Sequence, residues 1–249
     1  MMERIKTGIP KLDDKLGGGV PTGRTLCYYI EPGAAGEVFG MQTLASALKE
    51  GREGIFVSTH MEPNIVREQF KEYGWGFEGY GDRFFILDAY SGLMGLKSDE
   101  GYLVENPNDI DSINDTITQA IEDLSPGGVI YASLSQIMDF TGADIEKYVS
   151  EWNKRIMHKN AVGVYNFTAW PYPKEILAKA KEEFFNCVVQ LRSIGNGVPL
   201  GQYYEVAKAD WCDAVGEHVL FRTMKPGGVK TYEPTLKKER LKLLISAMV

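Results

Sequence analysis

Short, nearly continuous apolar runs alternate with stretches of helical periodicity along the first two thirds of the chain. TLCYYI (25–30), GIFVST (54–59), RFFILDAY (83–90), GVIYAS (128–133) and AVGVYNF (161–167) predict strands. Their lack of polar alternation marks parallel strands covered on both faces. The intervening segments carry apolar residues at i, i+3 and i+4. In 109–124 these are Ile110, Ile113, Ile117, Ile121 and Leu124; in 144–158 they are Ile145, Tyr148, Val149, Trp152 and Ile156. The segment 39–50 stops at Gly51, which suits a helix C-terminus. The alternation predicts an α/β fold with a mostly parallel twisted sheet and helices on both faces.

After residue 184 the pattern changes to strands: FFNCVVQLRSI, GQYYEVAK, and a hairpin HVLFRTMKPGGVKTYEP turning at Pro226-Gly227-Gly228. No Pro/Ser-rich linker or internal repeat divides the chain, which reads as a single domain over 1–249 with its core at about 4–230. The last stretch, about 236–249, places Leu241, Leu244, Ile245 and Met248 at helical spacing among Lys237, Lys238, Arg240 and Lys242. It predicts an amphipathic helix, either docked on the core or offered to another subunit.

Composition narrows the function classes. Hydrophobic content is 44%, charged content 24% and formal net charge −7. An acidic balance disfavours a general nucleic-acid binder, which needs a basic face. Cys27, Cys187 and Cys212 form no C-x-x-C and read as small buried hydrophobes in a reducing compartment. With no signal-peptide core and no membrane-length apolar run, the expectation is a cytoplasmic protein without membrane contact.

The stretch YYIEPGAAGEVFGMQ (28–42) has the outline of a phosphate-binding loop: a strand, a Gly-rich turn, then a helix. The residues that hold phosphate in G-x-x-x-x-G-K-[ST] are replaced. Glu31 stands at the first glycine, Glu37 at the lysine and Val38 at the hydroxyl, while Gly33 and Gly36 remain. At ~4 Å and an effective dielectric of ~20, a pair of unit charges is worth about 4 kcal/mol, so reversing its sign costs up to about 8. That equals the binding free energy of a micromolar ligand, about −8 kcal/mol. Val38 cannot ligate magnesium, so ordinary Mg-ATP binding is disfavoured and no cofactor is expected.

The preceding segment, TGIPKLDDKLGGGVPTG (7–23), resembles the lead-in of the RecA/KaiC-like P-loop ATPases, a GIP-x-LD…LGGG-[IV]-P-x-G stretch running into the first core strand. IFVSTHMEPNIVREQFKEYGW (55–75) is similar to the family's second strand, acidic turn and following helix. GVIYASLSQI (128–137) lies where the family carries a Walker B strand of the type VVIDSLS. The resemblance implies a RecA-like P-loop fold over residues 4–230 and a degenerate member of an archaeal type. It places Ala132 at the metal-associated aspartate, His60 and Met61 at the catalytic glutamates with Glu62 one step later, and Thr168 at a sensor position. Phosphate neutralisation, metal ligation and water activation are lost together, which is the pattern of a pseudo-ATPase.

Three functional readings follow. The first is a non-catalytic regulatory or scaffolding protein that contacts proteins, peptides or copies of itself. The second is a small-molecule binder or enzyme using a remodelled pocket around His60, Glu62, Ala132 and Thr168, with one of the loop carboxylates folded back on the loop. The third is a recombinase-like nucleic-acid partner, the least favoured on charge. The resemblance also points to Arg222 and Lys225 as residues facing a neighbouring subunit, against exposed strand charges. Trp170, Tyr172, Phe184, Phe185 and Trp211 fit either a peptide groove or core filling. The acids Glu105, Asp109, Asp111 and Asp115 fit a helix cap better than a cation site, and no metal is expected.

Overall fold

A computed structural model describes residues 2–76, 81–195, 201–214 and 216–233. The strands are β1 (Arg4–Ile5), β2 (Val20–Pro21), β3 (Arg24–Ile30), β4 (Gly54–Ser58), β5 (Phe84–Asp88), β6 (Tyr102–Leu103), β7 (Val129–Ser133), β8 (Val162–Thr168), β9 (Cys187–Ile194), β10 (Gly201–Ala209), β11 (Val219–Met224) and β12 (Gly228–Thr231). The helices are α1 (Leu12–Lys15), α2 (Glu37–Lys49), α3 (Pro63–Glu72), α4 (Tyr90–Met94), α5 (Ile110–Asp123), α6 (Leu134–Thr141), α7 (Glu146–Lys159) and α8 (Lys174–Glu182).

Ten strands form one sheet in the order β12-β11-β10-β9-β3-β8-β7-β4-β5-β6. Pairing is parallel from β9 through β6 and antiparallel among β9 to β12. The strands predicted from apolar runs are β3, β4, β5, β7 and β8, all within the parallel part. Each buries both faces, as shown by β4 and β7, in which every residue is buried.

Two apolar layers sandwich the sheet. On one side Phe39, Leu44 and Leu48 of α2, with Val66 and Phe70 of α3, cover Leu26, Tyr28, Phe56, Tyr131 and Val164. On the other, Ile113, Ile117 and Ile121 of α5 and Val149, Trp152 and Ile156 of α7 cover Cys27, Ile55, Ile130 and Tyr165. Among the described residues the two layers bury 32 and 28 apolar residues; at ~1.5–3 kcal/mol for each large side chain fully buried, they are the main stabilising term.

The lead-in segment is held by its own polar groups. The Asp13 carboxylate accepts from Thr7 N (2.7 Å), Thr7 Oγ1 (2.8 Å) and Gly8 N (3.1 Å). Gly19 has φ 119°, and a Cβ there would lie 2.4 Å from the Ile5 carbonyl oxygen, so the close pass beside β1 requires glycine. Gln42 of α2 then links distant pieces: its Nε2 donates to Gly8 O (2.6 Å) and its Oε1 accepts from Val229 N of β12 (2.7 Å).

The hairpin turns where predicted, with Gly227 and Gly228 at φ 115° and 72°. Asp109 caps α5 by accepting from Asp111 N at 3.0 Å, which accounts for that acidic run. The predicted helix at 236–249, with Leu241, Leu244, Ile245 and Met248, lies outside the described residues. Among the described residues no helix is long and apolar enough to cross a membrane.

Cys27 and Cys187 are buried on opposite faces of the sheet, and burial pushes both thiols well above their ordinary value. Cys212 is only half-buried. In native protein at pH 8, Ellman's reagent is therefore expected to modify Cys212 first, with Cys27 and Cys187 reacting only on unfolding. Modification of all three at one rate would contradict this packing.

Candidate functional site

Parallel strands bring the ends of β3, β4, β7 and β8 to one edge of the sheet, the usual place for a ligand in an open α/β fold. Residues 31–36 cross from Ile30 of β3 to the first residue of α2, Glu37. Gly33 takes φ 86°, and a Cβ there would stand 3.0 Å from Ser193 Oγ. A Cβ on Gly36 would come within 2.5 Å of the Ile30 side chain. The turn therefore lies tight against β3 and β9 and encloses a hollow of about 250 Å³ that also reaches Tyr73, Thr168 and Thr223.

The substituted positions behave differently from one another. Val38 is 4% exposed and belongs to the α2-side core. Glu37 is exposed at the start of the helix, where the macrodipole favours a negative charge. Its carboxylate has no hydrogen-bond partner among the described residues. Glu31 lines the hollow, but its carboxylate is engaged: its Oε1 accepts from the Gln190 amide and from Arg192 Nε (3.1 Å), with Lys181 Nζ at 3.8 Å. Lys181 also sits 4.5 Å over the Tyr29 ring. Burial, and then Glu31, push that phenol up to about 12. Neither carboxylate folds back on the loop, contrary to expectation. A neutral group from β10 does so, with Ala35 N donating to Gln202 Oε1 at 2.8 Å.

On the far side of Glu37 lies a second cleft of about 240 Å³. Its floor is polar and buried. Asn166 Nδ2 donates to the Glu37 carbonyl (3.1 Å) and to Tyr131 Oη (3.0 Å), tying β8 to the first turn of α2 and to β7. Burial holds the Tyr131 phenol above its ordinary value, with Glu37 adding to the effect. The rim carries His60, whose Nε2 is 3.5 Å from Gln136 Nε2, and Gln136 Oε1 accepts from Thr59 Oγ1 at 2.9 Å. Thr168 is fixed through its backbone, its N–H donating to Ser135 Oγ at 2.6 Å, and it borders both hollows.

Two of the predicted pocket residues are not in it. Ala132 points to the opposite layer, buried among the residues under α5 and α6, because alternate residues of a strand face opposite ways. The residues of β7 that face the loop side and line the cleft are Tyr131 and Ser133. Glu62 is exposed at the N-cap of α3 and makes no side-chain cap bond. Tyr131, Ser133, Asn166 and Gln202 were not singled out as site residues from the sequence. A period-two reading of β7 would have flagged Tyr131 and Ser133.

The predicted contact residues are scattered. Lys225 pairs with Glu72 at 2.5 Å and lies 5.1 Å over the Tyr73 ring, within its own chain. Arg222 is exposed on β11 opposite Lys230. Trp170 stands at the cleft mouth, Tyr172 bonds Asp139 (2.8 Å), and Trp211 bonds Leu16 O (3.1 Å). Phe184 and Phe185 line a different groove beside Arg24. They form no common peptide groove. Among the described residues no group of three His, Cys, Asp or Glu is placed to hold a metal ion.

A family model described as "ATPase: KaiC" matches residues 5–235. The chain belongs to the KaiC family. A UPF0273 protein of Aeropyrum pernix is 34% identical over 140 residues, which are 55% of this chain and 56% of that one. A UPF0273 protein of Methanopyrus kandleri is 32% identical over 139 residues, 55% of each. The chain thus spans about half the length of the curated relatives it matches. A solved KaiC-like protein of Pyrococcus horikoshii superposes with a TM-score of 0.71 at 21% identity, covering 94% of this chain and all of that one. That likeness shows the fold, a RecA/KaiC-like α/β sheet with antiparallel strands toward its C-terminal end.

Within this KaiC-family frame, α2 carries Gly40 because a Cβ there would meet the Tyr131 ring at 2.1 Å and Asn166 Oδ1 at 2.9 Å. The ring is buried and cannot swing clear. Gly40→Ala is therefore expected to destabilise the fold by about 1–3 kcal/mol in urea titration, through overpacking. In a Tyr131→Ala background, where the ring is gone, the same Gly40→Ala change should cost less than it does in the wild type. A Gly40→Ala protein as stable as wild type would contradict the contact.

Proposed function

We propose that this KaiC-family chain is a non-catalytic member, which acts through contacts with protein partners or further copies of itself and not by phosphoryl transfer. The observation that carries the reading is at the start of α2. A free carboxylate, Glu37, stands where phosphate would need a cation, and the next side chain, Val38, is apolar and packed into the core. The Ala35 N–H, which a phosphate oxygen would use, already has Gln202 as its acceptor. Near the end of β7, Ser133 faces the loop and supplies a hydroxyl where an acid would hold a metal-bound water.

The family description names an ATPase, and with the KaiC-like neighbour it supports the fold from which this reading starts. The cleft beside Glu37 favours a second reading, that of a small-molecule binder.

Restoring the charge tests the first reading. Glu37→Lys combined with Val38→Thr is expected to bring Mg-ATP binding into the range that isothermal titration calorimetry detects. The new hydroxyl should cost roughly 1–2 kcal/mol of stability in the core. A folded double variant that gains no affinity would show that charge is not what excludes nucleotide. Phosphate release from Mg-ATP by the unaltered chain would overturn the non-catalytic reading outright.

A further inference from the structure

At β6 the sheet ends on an open edge. β6 pairs with β5 on one side and with no described strand on the other. The segment that leads into it is fixed by one buried residue, Asp88 at the end of β5. Its carboxylate accepts from Ser91 N (2.9 Å) and Ser98 Oγ (2.6 Å), and its carbonyl accepts from Val104 N (3.0 Å). This anchored segment turns three large apolar side chains outward: Met94, Leu96 and Leu103 are 55%, 50% and 38% exposed. Exposed apolar side chains gathered on a sheet edge mark an interaction surface.

Charge says what could cover this edge. From Ser98, just after Lys97, to Asp123 the chain carries eight Asp or Glu and neither Lys nor Arg. Helix α5 brings part of that run beside the edge, with Tyr102 Oη donating to Asp123 Oδ2 at 3.0 Å. Arg67 and Arg155 answer Glu100 and Glu122. Asp99 and Glu105 are exposed and have no partner among the described residues. The segment 236–249 has the opposite composition, four cations and one carboxylate around Leu241, Leu244, Ile245 and Met248. An apolar stripe flanked by cations complements an apolar edge flanked by carboxylates.

Reach decides which copy supplies that segment. The described chain leaves the sheet from β12, the opposite edge, nine strand spacings or about 43 Å from β6. The stretch from Glu233 to Leu241 spans at most ~29 Å when extended, and less when helical. We propose that the apolar edge at β6 receives the 236–249 segment of a second copy of this chain. Two different surfaces meet in such a contact, so each assembly keeps a free edge at one end and a free segment at the other, and it grows unless it closes into a ring. The inference deepens the reading that the chain acts through further copies of itself, and rests on it.

Sedimentation velocity of the full chain tests this. The unaltered chain is expected to form species larger than a monomer, growing with concentration and weakening at high salt. Leu96→Asp with Leu103→Asp disables the edge, and Leu244→Asp with Ile245→Asp disables the segment; each double variant should be monomeric. An equimolar mixture of the two should form a one-to-one pair, because one brings an intact segment and the other an intact edge. Circular dichroism checks that the variants fold. Should the edge variant not fold, Asp99→Lys with Glu105→Lys alters two exposed carboxylates instead. That change should weaken association roughly tenfold or more, and adding Lys238→Glu with Lys242→Glu should restore it. A monomeric unaltered chain, variants that assemble as it does, or a mixture that stays monomeric overturns the inference and leaves the non-catalytic reading intact. Phosphate release from Mg-ATP overturns that reading whatever the assembly.

Discussion

The side-chain amide of Asn166 is the tie on which the arrangement of this edge depends. It is buried between β7, β8 and α2, and it binds the backbone of Glu37 and the hydroxyl of Tyr131 together. Each bond contributes of order 1 kcal/mol net, but leaving a partner unpaired in that interior costs more. With the start of α2 pinned in this way, Glu37 is held facing the space between the two hollows, and Tyr131 fills the room that Gly40 leaves. Gly33 and Gly36 permit the loop's close approach to β3 and β9.

Shape and charge have parted company here. In a working phosphate loop the backbone N–H groups, the helix dipole and a lysine act in the same direction. Here the dipole remains, but its charge is answered by the protein's own Glu37, and one loop N–H is answered by Gln202. Glu31 is held in a cluster with Arg192, Lys181 and Gln190, which offsets its charge. Glu37 and Asp139 are the carboxylates that line the cleft beside α2.

The parallel half of the sheet was legible in the sequence because strands buried on both faces must be apolar throughout. The hairpin was legible from its Pro-Gly-Gly turn. The two-residue strands β1, β2 and β6 are too short to leave a periodic signal. Helix α6 follows β7 without a break, so SLSQIMDF hides its boundary. The site was less legible, for physical reasons. Ala132 was placed by letter alignment, whereas strand alternation sends it to the other face and brings Ser133 forward. Asn166 sits inside an apolar run, and its role depends on Tyr131 in the neighbouring strand and on a carbonyl of α2, far away in sequence. That Glu37 and Val38 stand where the motif has a lysine and a hydroxyl is a reading of residue identity; to it the structure adds that Glu37 is exposed and Val38 is packed in the core.

The central claim is that carboxylate and apolar side chains at the start of α2 exclude Mg-ATP from a loop that retains its backbone form. Equilibrium dialysis of the unaltered chain against radiolabelled Mg-ATP at low ionic strength tests it most directly. The account predicts no retained nucleotide up to millimolar concentration. Saturable binding at micromolar concentration, about one nucleotide per chain, would contradict it.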